Sequence, residues 1–228
     1  MNKTLKIKSN REVTIDISKI KNLNIVVEEC IKAVCILNFD ADFDLNTKVV
    51  IKAGAELKIY NVFTGNSGRE SLDLGLIGEG AVGEVYSVGS LKNNDNLELI
   101  HNALHIADKT TSNIYSSFVV NDNSELNLNE EVFVQVGANS CIGNQKAEIL
   151  ILSENAKVQA VPNLKIENEN VKCSHSVSIT KFNEEKKFYL NTKGLNIKQV
   201  EEILVFGHLS KAITSLSEKI QKNIFEKL

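Results

Sequence analysis

The 228-residue sequence has no tryptophan, one proline (Pro162) and one methionine. With no Trp and only four Tyr there is little aromatic surface for stacking sugar rings, which weighs against a carbohydrate-acting enzyme. No apolar run approaches the ~20 residues of a membrane span. The opening "MNKTLKIKSNREV" holds no apolar stretch of signal-peptide length, so the expectation is a cytoplasmic protein with no membrane partner. Charge of one sign is also lacking: 26 basic against 29 acidic residues leave a net charge of −3, which argues against nucleic acid as a partner. The four cysteines, Cys30, Cys35, Cys141 and Cys173, form no CxxC pair, which disfavours a zinc knuckle. In a reducing compartment they are not a disulfide framework. The stretch "IGEGAVG" lacks the Lys-Ser/Thr of a phosphate-binding loop, so no nucleotide is expected on this chain. The acidic residues show no close pair suited to general acid–base catalysis, and no enzymatic activity is expected.

What is present is a wealth of Asn beside Val, Ile and Leu. Asn tolerates turn and left-handed conformations, while β-branched residues suit a pleated surface. Alternation with period two runs from the start to about residue 180, as in "EVTIDIS" (12–18), "AELKIYNV" (55–62), "SLDLGLIG" (71–78) and "EVFVQVG" (131–137). Nearly every such run is short and is followed by Gly, Asn or Asp. No helical period is sustained between residues 40 and 180, so a doubly wound α/β sheet is excluded. Small or turn residues precede alternating runs at 54, 80, 95, 123 and 155, unequal intervals near one or two turns of a coil of ~20–30 residues. A β-helix stacks such coils around an apolar column; a β-sandwich would show similar strands.

Near residue 183 the period changes, dividing the chain into a β domain (1–182) and a small helical C-terminal domain (183–228). Asn183 is a candidate N-cap with Glu184 and Glu185 in the first turn, and Gly194 ends that helix. Asn196 with Gln199 forms a candidate capping box for a second helix. From there Val200, Ile203, Leu204, Leu209, Ile213, Leu216, Ile220 and Ile224 recur at three- and four-residue spacing, with Gly207 as a possible break. This stripe either caps the last coil, as solenoids require, or docks a partner.

One segment combines strand alternation with metal-ligating chemistry. In "VKCSHSVSI" (171–179), Val171, Cys173, His175, Val177 and Ile179 share one face. Same-face neighbours sit ~6.5–7 Å apart, whereas ligands of one tetrahedral ion converge to within ~4 Å of each other. The spacing therefore suits a wider iron–sulfur cluster, for which thiolate and imidazole are a known mixed ligand set. A two-fold contact would present the same pair twice and complete the shell. The bland alternative is core filling, since free Cys is among the most buried residue types. Cys141, in "GANSCIGNQ", is a weaker ligand candidate; Cys30 and Cys35 read as core, and His101 and His105 as a surface or corner pair.

Residues 157–195, "KVQAVPNLKIENENVKCSHSVSITKFNEEKKFYLNTKGL", resemble the C-terminal core of the SufB/SufD family, subunits of the SUF iron–sulfur cluster assembly machinery. Pro162, Glu167, Val171, Lys172, Cys173, Ser174, His175, Phe188, Tyr189, Leu190, Gly194 and Leu195 carry the match. Weaker similarity covers 105–117, 147–158 and 201–209. The resemblance implies a mainly β fold, a right-handed parallel β-helix followed by a small helical domain. It implies a transient iron–sulfur cluster and pairing as a homodimer, or as a heterodimer with a SufB-type subunit. It also implies docking of a SufC-type ABC ATPase on the C-terminal helices, for which Phe188, Tyr189, Leu190, Gly194, Leu195, Val200, Ile203 and Leu204 are the candidate contacts. Where SufB-type members carry a cluster-building cysteine, this chain has Ala147, and Ser174 and Ser176 replace the glutamates beside the histidine. These departures make it SufD-like. The long helical N-terminal region of many members has no counterpart, as in a reduced member. A purely structural partner subunit is the alternative reading, with a β-helix carbohydrate-acting enzyme behind it.

Overall fold

The computed structural model describes residues 1–225 except 66, 183, 215 and 217, and not the side chains of 184–187, 197, 219, 220 and 223. Fourteen strands follow one another: β1 (Asn2–Ile7), β2 (Arg11–Asp16), β3 (Asn22–Val27), β4 (Lys32–Phe39), β5 (Phe43–Ile51), β6 (Glu56–Phe63) and β7 (Gly68–Leu76). The second half continues with β8 (Val82–Leu91), β9 (Asn96–His105), β10 (Thr111–Val120), β11 (Glu125–Val134), β12 (Ile142–Ile151), β13 (Lys157–Ile166) and β14 (Lys172–Lys181). Odd strands form one seven-stranded sheet in chain order and even strands a second, and the register is parallel throughout. Each coil thus contributes one strand to each sheet, which is a parallel β-helix. Asn2 pairs with Asn22, Thr111 with Ile142 and Glu125 with Lys157, so a coil grows from 20 residues to 32 along the chain. That growth accounts for the unequal intervals in the sequence.

The two sheets face each other across an apolar interior. In β11 every second residue, Leu126, Leu128, Val132 and Val134, is buried, with Glu130 at the one polar inward position. Phe39, Phe63, Gly89, Phe118 and Ile149 are successive register partners in the second sheet. A Cβ at Gly89 would lie 2.8 Å from the Phe118 ring and 2.9 Å from Phe63 Cβ, so the missing side chain admits the rings of the coils on either side. Phe63 and Phe118 stand 5.8 Å apart across that coil.

One corner of the helix is built on a left-handed residue in five successive coils: Cys30, Gly54, Gly80, Lys109 and Ser140, with φ between 57° and 69°. Each donates its backbone N–H to a carbonyl of the next coil, from Cys30 to Ala53 (3.0 Å) through Ser140 to Asn170 (2.7 Å). Glycine suits this conformation; the non-glycine members tolerate αL at the cost of local strain. Cys30 is therefore an exposed corner residue and not core, while Cys35 is buried as expected.

Three helices follow: α1 (Glu184–Thr192), α2 (Ile197–Ile213) and α3 (Glu218–Phe225). The expected cap at Asn183 lies outside the described residues, as do the side chains of Glu184, Glu185 and Ile220. Gly194 takes φ 88° two residues beyond α1, as a helix-ending glycine does. Asn196 and Gln199 form the expected reciprocal box, at 3.0 Å and 2.9 Å. Gly207 does not break α2, which runs through it.

The apolar stripe does not cap the last coil. Leu209, Ala212 and Ile213 of α2, with Leu216 and Ile224, pack on the outer face of the second sheet against Ile36, Tyr60, Val62, Val88, Val119 and Leu150. Burial on both faces is why the alternation fails in the second halves of β8 and β10. Laid along the side of the coil, the helices leave its C-terminal end open.

Candidate functional site at the open end of the coil

Strands β13 and β14 terminate their sheets, and each has a neighbour on one edge only. Their inward residues line a mouth where the interior column reaches solvent. Pro162, Leu164 and Cys173 are half-buried there, while Ile166, His175, Val177 and Ile179 are exposed. The expected face of Val171, Cys173, His175, Val177 and Ile179 is thus the inward face of the last coil. A cavity of about 550 Å³ opens at this end, lined by Leu164, Ile166, Val171 and Cys173 with Glu167 and Glu169.

The sulfur of Cys173 lies beside Gly143 of the coil below. A Cβ at Gly143 would lie 2.6 Å from Val132 Cγ1, closer than packing allows, with Cys173 Sγ at 3.3 Å and His105 Nε2 at 3.5 Å, so the glycine lets these three side chains meet over the backbone. Burial raises the pKa of the Cys173 thiol, opposed by the Gly143 backbone hydrogen bond and reinforced by Cys141, so the free thiol keeps its proton at neutral pH.

Beneath Cys173 is a buried chain of polar side chains that the sequence did not reveal. Thr110 Oγ1 donates to the Ala107 carbonyl at 3.1 Å and in turn accepts from His105 Nδ1 at 2.7 Å, so the ring donates to the hydroxyl. His105 Nε2 is then free to accept from Ser112 Oγ at 2.8 Å. Burial lowers the His105 pKa to about 4, so the ring is neutral. Cys141 Sγ sits 3.1 Å from Thr110 Oγ1 and 3.4 Å from the Ala107 carbonyl, enclosed and away from the mouth. It is buried, whereas Cys173 reaches the opening.

His101 and His105 are fully buried, not the surface or corner pair expected. Their parity with Leu97, Leu99 and Ala103 was the available signal, since all five point inward. His101 Nε2 donates to Glu70 Oε2 at 3.2 Å, which also accepts from Asn61 Nδ2 at 2.8 Å. One coil on, Ser116 Oγ donates to Glu130 at 2.6 Å, and burial pushes the Glu130 pKa up to about 7. A polar thread thus crosses the apolar interior and ends below Ala147 and Pro162, the next residues in its two columns.

Of the candidate docking residues, Phe188 (72% exposed), Tyr189 (59%) and Ile203 (50%) are on the surface. Leu190, Leu195 and Leu204 are half-buried, and Gly194 is exposed. Val200 is buried at 1% and cannot meet a partner directly. Phe206, which the sequence reading passed over, is 55% exposed. With Ile203 and Phe225 it lines a groove of about 650 Å³ between the helices and the rim of the second sheet.

Among the described residues no three His, Cys, Asp or Glu side chains converge on one metal-ion position. No helix among them is long and apolar enough to cross a membrane.

Residues 38–208 match the family model described as the SufBD core domain of SUF-system FeS cluster assembly. An iron–sulfur cluster assembly SufBD family protein of Galdieria sulphuraria is 26% identical over 141 residues, which are 62% of this chain and 64% of that protein. The iron–sulfur cluster assembly protein SufB of Bacillus subtilis is 25% identical over 134 residues, 59% of this chain and 29% of SufB. A SufBD family protein of Synechocystis is 23% identical over 62% of this chain and 29% of its own length. The chain thus spans only part of the length of these relatives.

Proposed function

Because the chain belongs to the SufBD core-domain family of iron–sulfur cluster assembly proteins, we propose that it is a non-enzymatic cytoplasmic subunit that pairs through the open end of its β-helix. The cluster is its cargo, held in passing at the seam by Cys173 and His175 of this chain and by residues of the opposing subunit. The observation that carries this reading is the uncovered last coil, in which a thiol and an imidazole stand among exposed Val177 and Ile179. Two ten-residue strands with a free edge are a pairing template unless something covers them. A like subunit, whether a second copy or a SufB-type chain, supplies both a further strand for each sheet and further ligands.

Cys173 and His175 are fewer ligands than a cluster takes, which favours a site shared with the opposing subunit. Soft thiolate and imidazole donors suit iron in a sulfide environment. Ala147 stands where SufB-type members carry a cysteine, and its side chain faces the interior one coil below Val177. That favours a supporting over a nucleating role. The energy source is a SufC-type ATPase docked on the helical face that carries Phe188, Tyr189, Ile203 and Phe206.

Anaerobic reconstitution with iron and sulfide tests the ligands. The Cys173→Ala, His175→Ala double variant should lose cluster uptake; uptake equal to wild type would overturn the assignment. Removing residues 196–228 should abolish co-purification with the ATPase, and retained binding would move the docking face elsewhere.

A further inference from the structure

Gln145 interrupts an otherwise apolar column. Val85, Ile114, Gln145 and His175 are successive register partners on the inward face of the second sheet. Only 2% of Gln145 is exposed, and a leucine would continue the column below it. Its Nε2 donates to the Asn163 carbonyl on β13 at 3.1 Å. A carbonyl only accepts, so this bond fixes which end of the amide faces β13. The other end, Oε1, is buried without a partner among the described atoms. An unpaired buried acceptor costs about 1–3 kcal/mol, a penalty that leucine would avoid.

The neighbouring side chains narrow the choice of donor. Along β12 the adjacent inward positions are Gly143 and Ala147, and the coil below presents Ile114; none has a side-chain donor. The coil above presents His175, exposed at the mouth. Adjacent coils stand ~4.8 Å apart, a separation that two inward side chains bridge with an N–H···O contact near 2.9 Å.

We infer that Gln145 is the positioning residue of His175, its Oε1 accepting one ring N–H so that the other ring nitrogen turns its lone pair toward the mouth. A hydrogen bond on one imidazole nitrogen selects the tautomer and aims the other nitrogen at a metal. The inference deepens the proposed function and rests on His175 being a ligand. It accounts for a glutamine where packing calls for an aliphatic residue.

The test reads the ring itself, without iron. In the ¹⁵N-labelled full chain, long-range ¹H–¹⁵N spectra should show His175 as a single tautomer, assigned by its loss in His175→Gln. Gln145→Leu, which removes the unpaired acceptor and the bond to the Asn163 carbonyl together, should still fold and return His175 to a mixture of both tautomers. Gln145→Glu, which keeps an acceptor, should retain the single tautomer. Iron(II) affinity should fall 10- to 100-fold in Gln145→Leu. A His175 spectrum in Gln145→Leu identical to wild type would overturn the inference. Unchanged iron uptake in His175→Ala would instead overturn the ligand reading, a failure visible independently of the tautomer spectrum.

Discussion

Replacing Glu130 by glutamine should tilt the pH dependence of folding stability in a direction set by His105. In the folded chain Glu130 keeps its proton up to about 7, against an ordinary 4.5, because burial penalises the carboxylate more than Ser116 and His101 favour it. The unfolded chain loses that proton near 4.5, so this contribution is complete below that pH and is lost as pH climbs to about 7. At 1.36 kcal/mol per pH unit the loss is about 3 kcal/mol. His105 acts in the opposite sense. Burial lowers it from 6.5 to about 4, so the unfolded chain takes up a proton that the folded chain refuses. Its contribution is complete above 6.5 and is lost as pH falls to about 4, again by about 3 kcal/mol. Between roughly 4.5 and 6.5 the two slopes cancel in the wild type. Glu130→Gln keeps an acceptor for Ser116 and removes one slope. Urea unfolding at half-unit intervals from pH 4.5 to 8 gives the difference between variant and wild type, in which all other groups drop out. The difference should rise from near zero at the acid end to about 3 kcal/mol in favour of the variant above pH 7. A difference that does not change with pH would refute the reasoning.

Three further outcomes follow from the packing. Gly89→Val should destabilise by about 1–3 kcal/mol in urea unfolding, since any Cβ there meets Phe63 and Phe118 below 3.0 Å. Asn196→Ala removes the capping box and should cost about 1 kcal/mol, read as faster amide exchange in the first turn of α2. Under a thiol reagent at neutral pH, exposed Cys30 should react first and half-buried Cys173 more slowly. Buried Cys35, raised to about 11, and buried Cys141 should react only after unfolding.

The coil was legible wherever one strand face meets apolar interior and the other meets water, as in "ELNLNEEVFV" (125–134), whose burial alternates residue by residue. It was not legible where a partner arrives from elsewhere in the chain. Glu130 and His101 are answered inside by Ser116 and Glu70, 14 and 31 residues away on other strands, and no alternation within one strand announces such pairs. The consecutive apolar residues of "FVV" (118–120) are buried on both faces, and nothing local says that α2 covers the outer one. Gly207 shows the limit of reading glycine as a stop. Inside a helix it costs about 1 kcal/mol relative to alanine, and without a left-handed conformation it ends nothing. The face of Cys173 and His175 followed from parity alone. That this face lines an open mouth depended on where the helices lay down.

The central claim is that the seam between two coil ends, and not either chain alone, holds the cluster. Ile179, 46% exposed on the same inward face, tests it, because Ile179→Asp charges the seam without touching Cys173 or His175. Anaerobic reconstitution with iron and sulfide, read as cluster absorbance per chain alongside mass in solution, compares it with wild type. The account predicts that the variant loses the paired species and the cluster together. A monomeric Ile179→Asp chain that takes up as much cluster as wild type would contradict it.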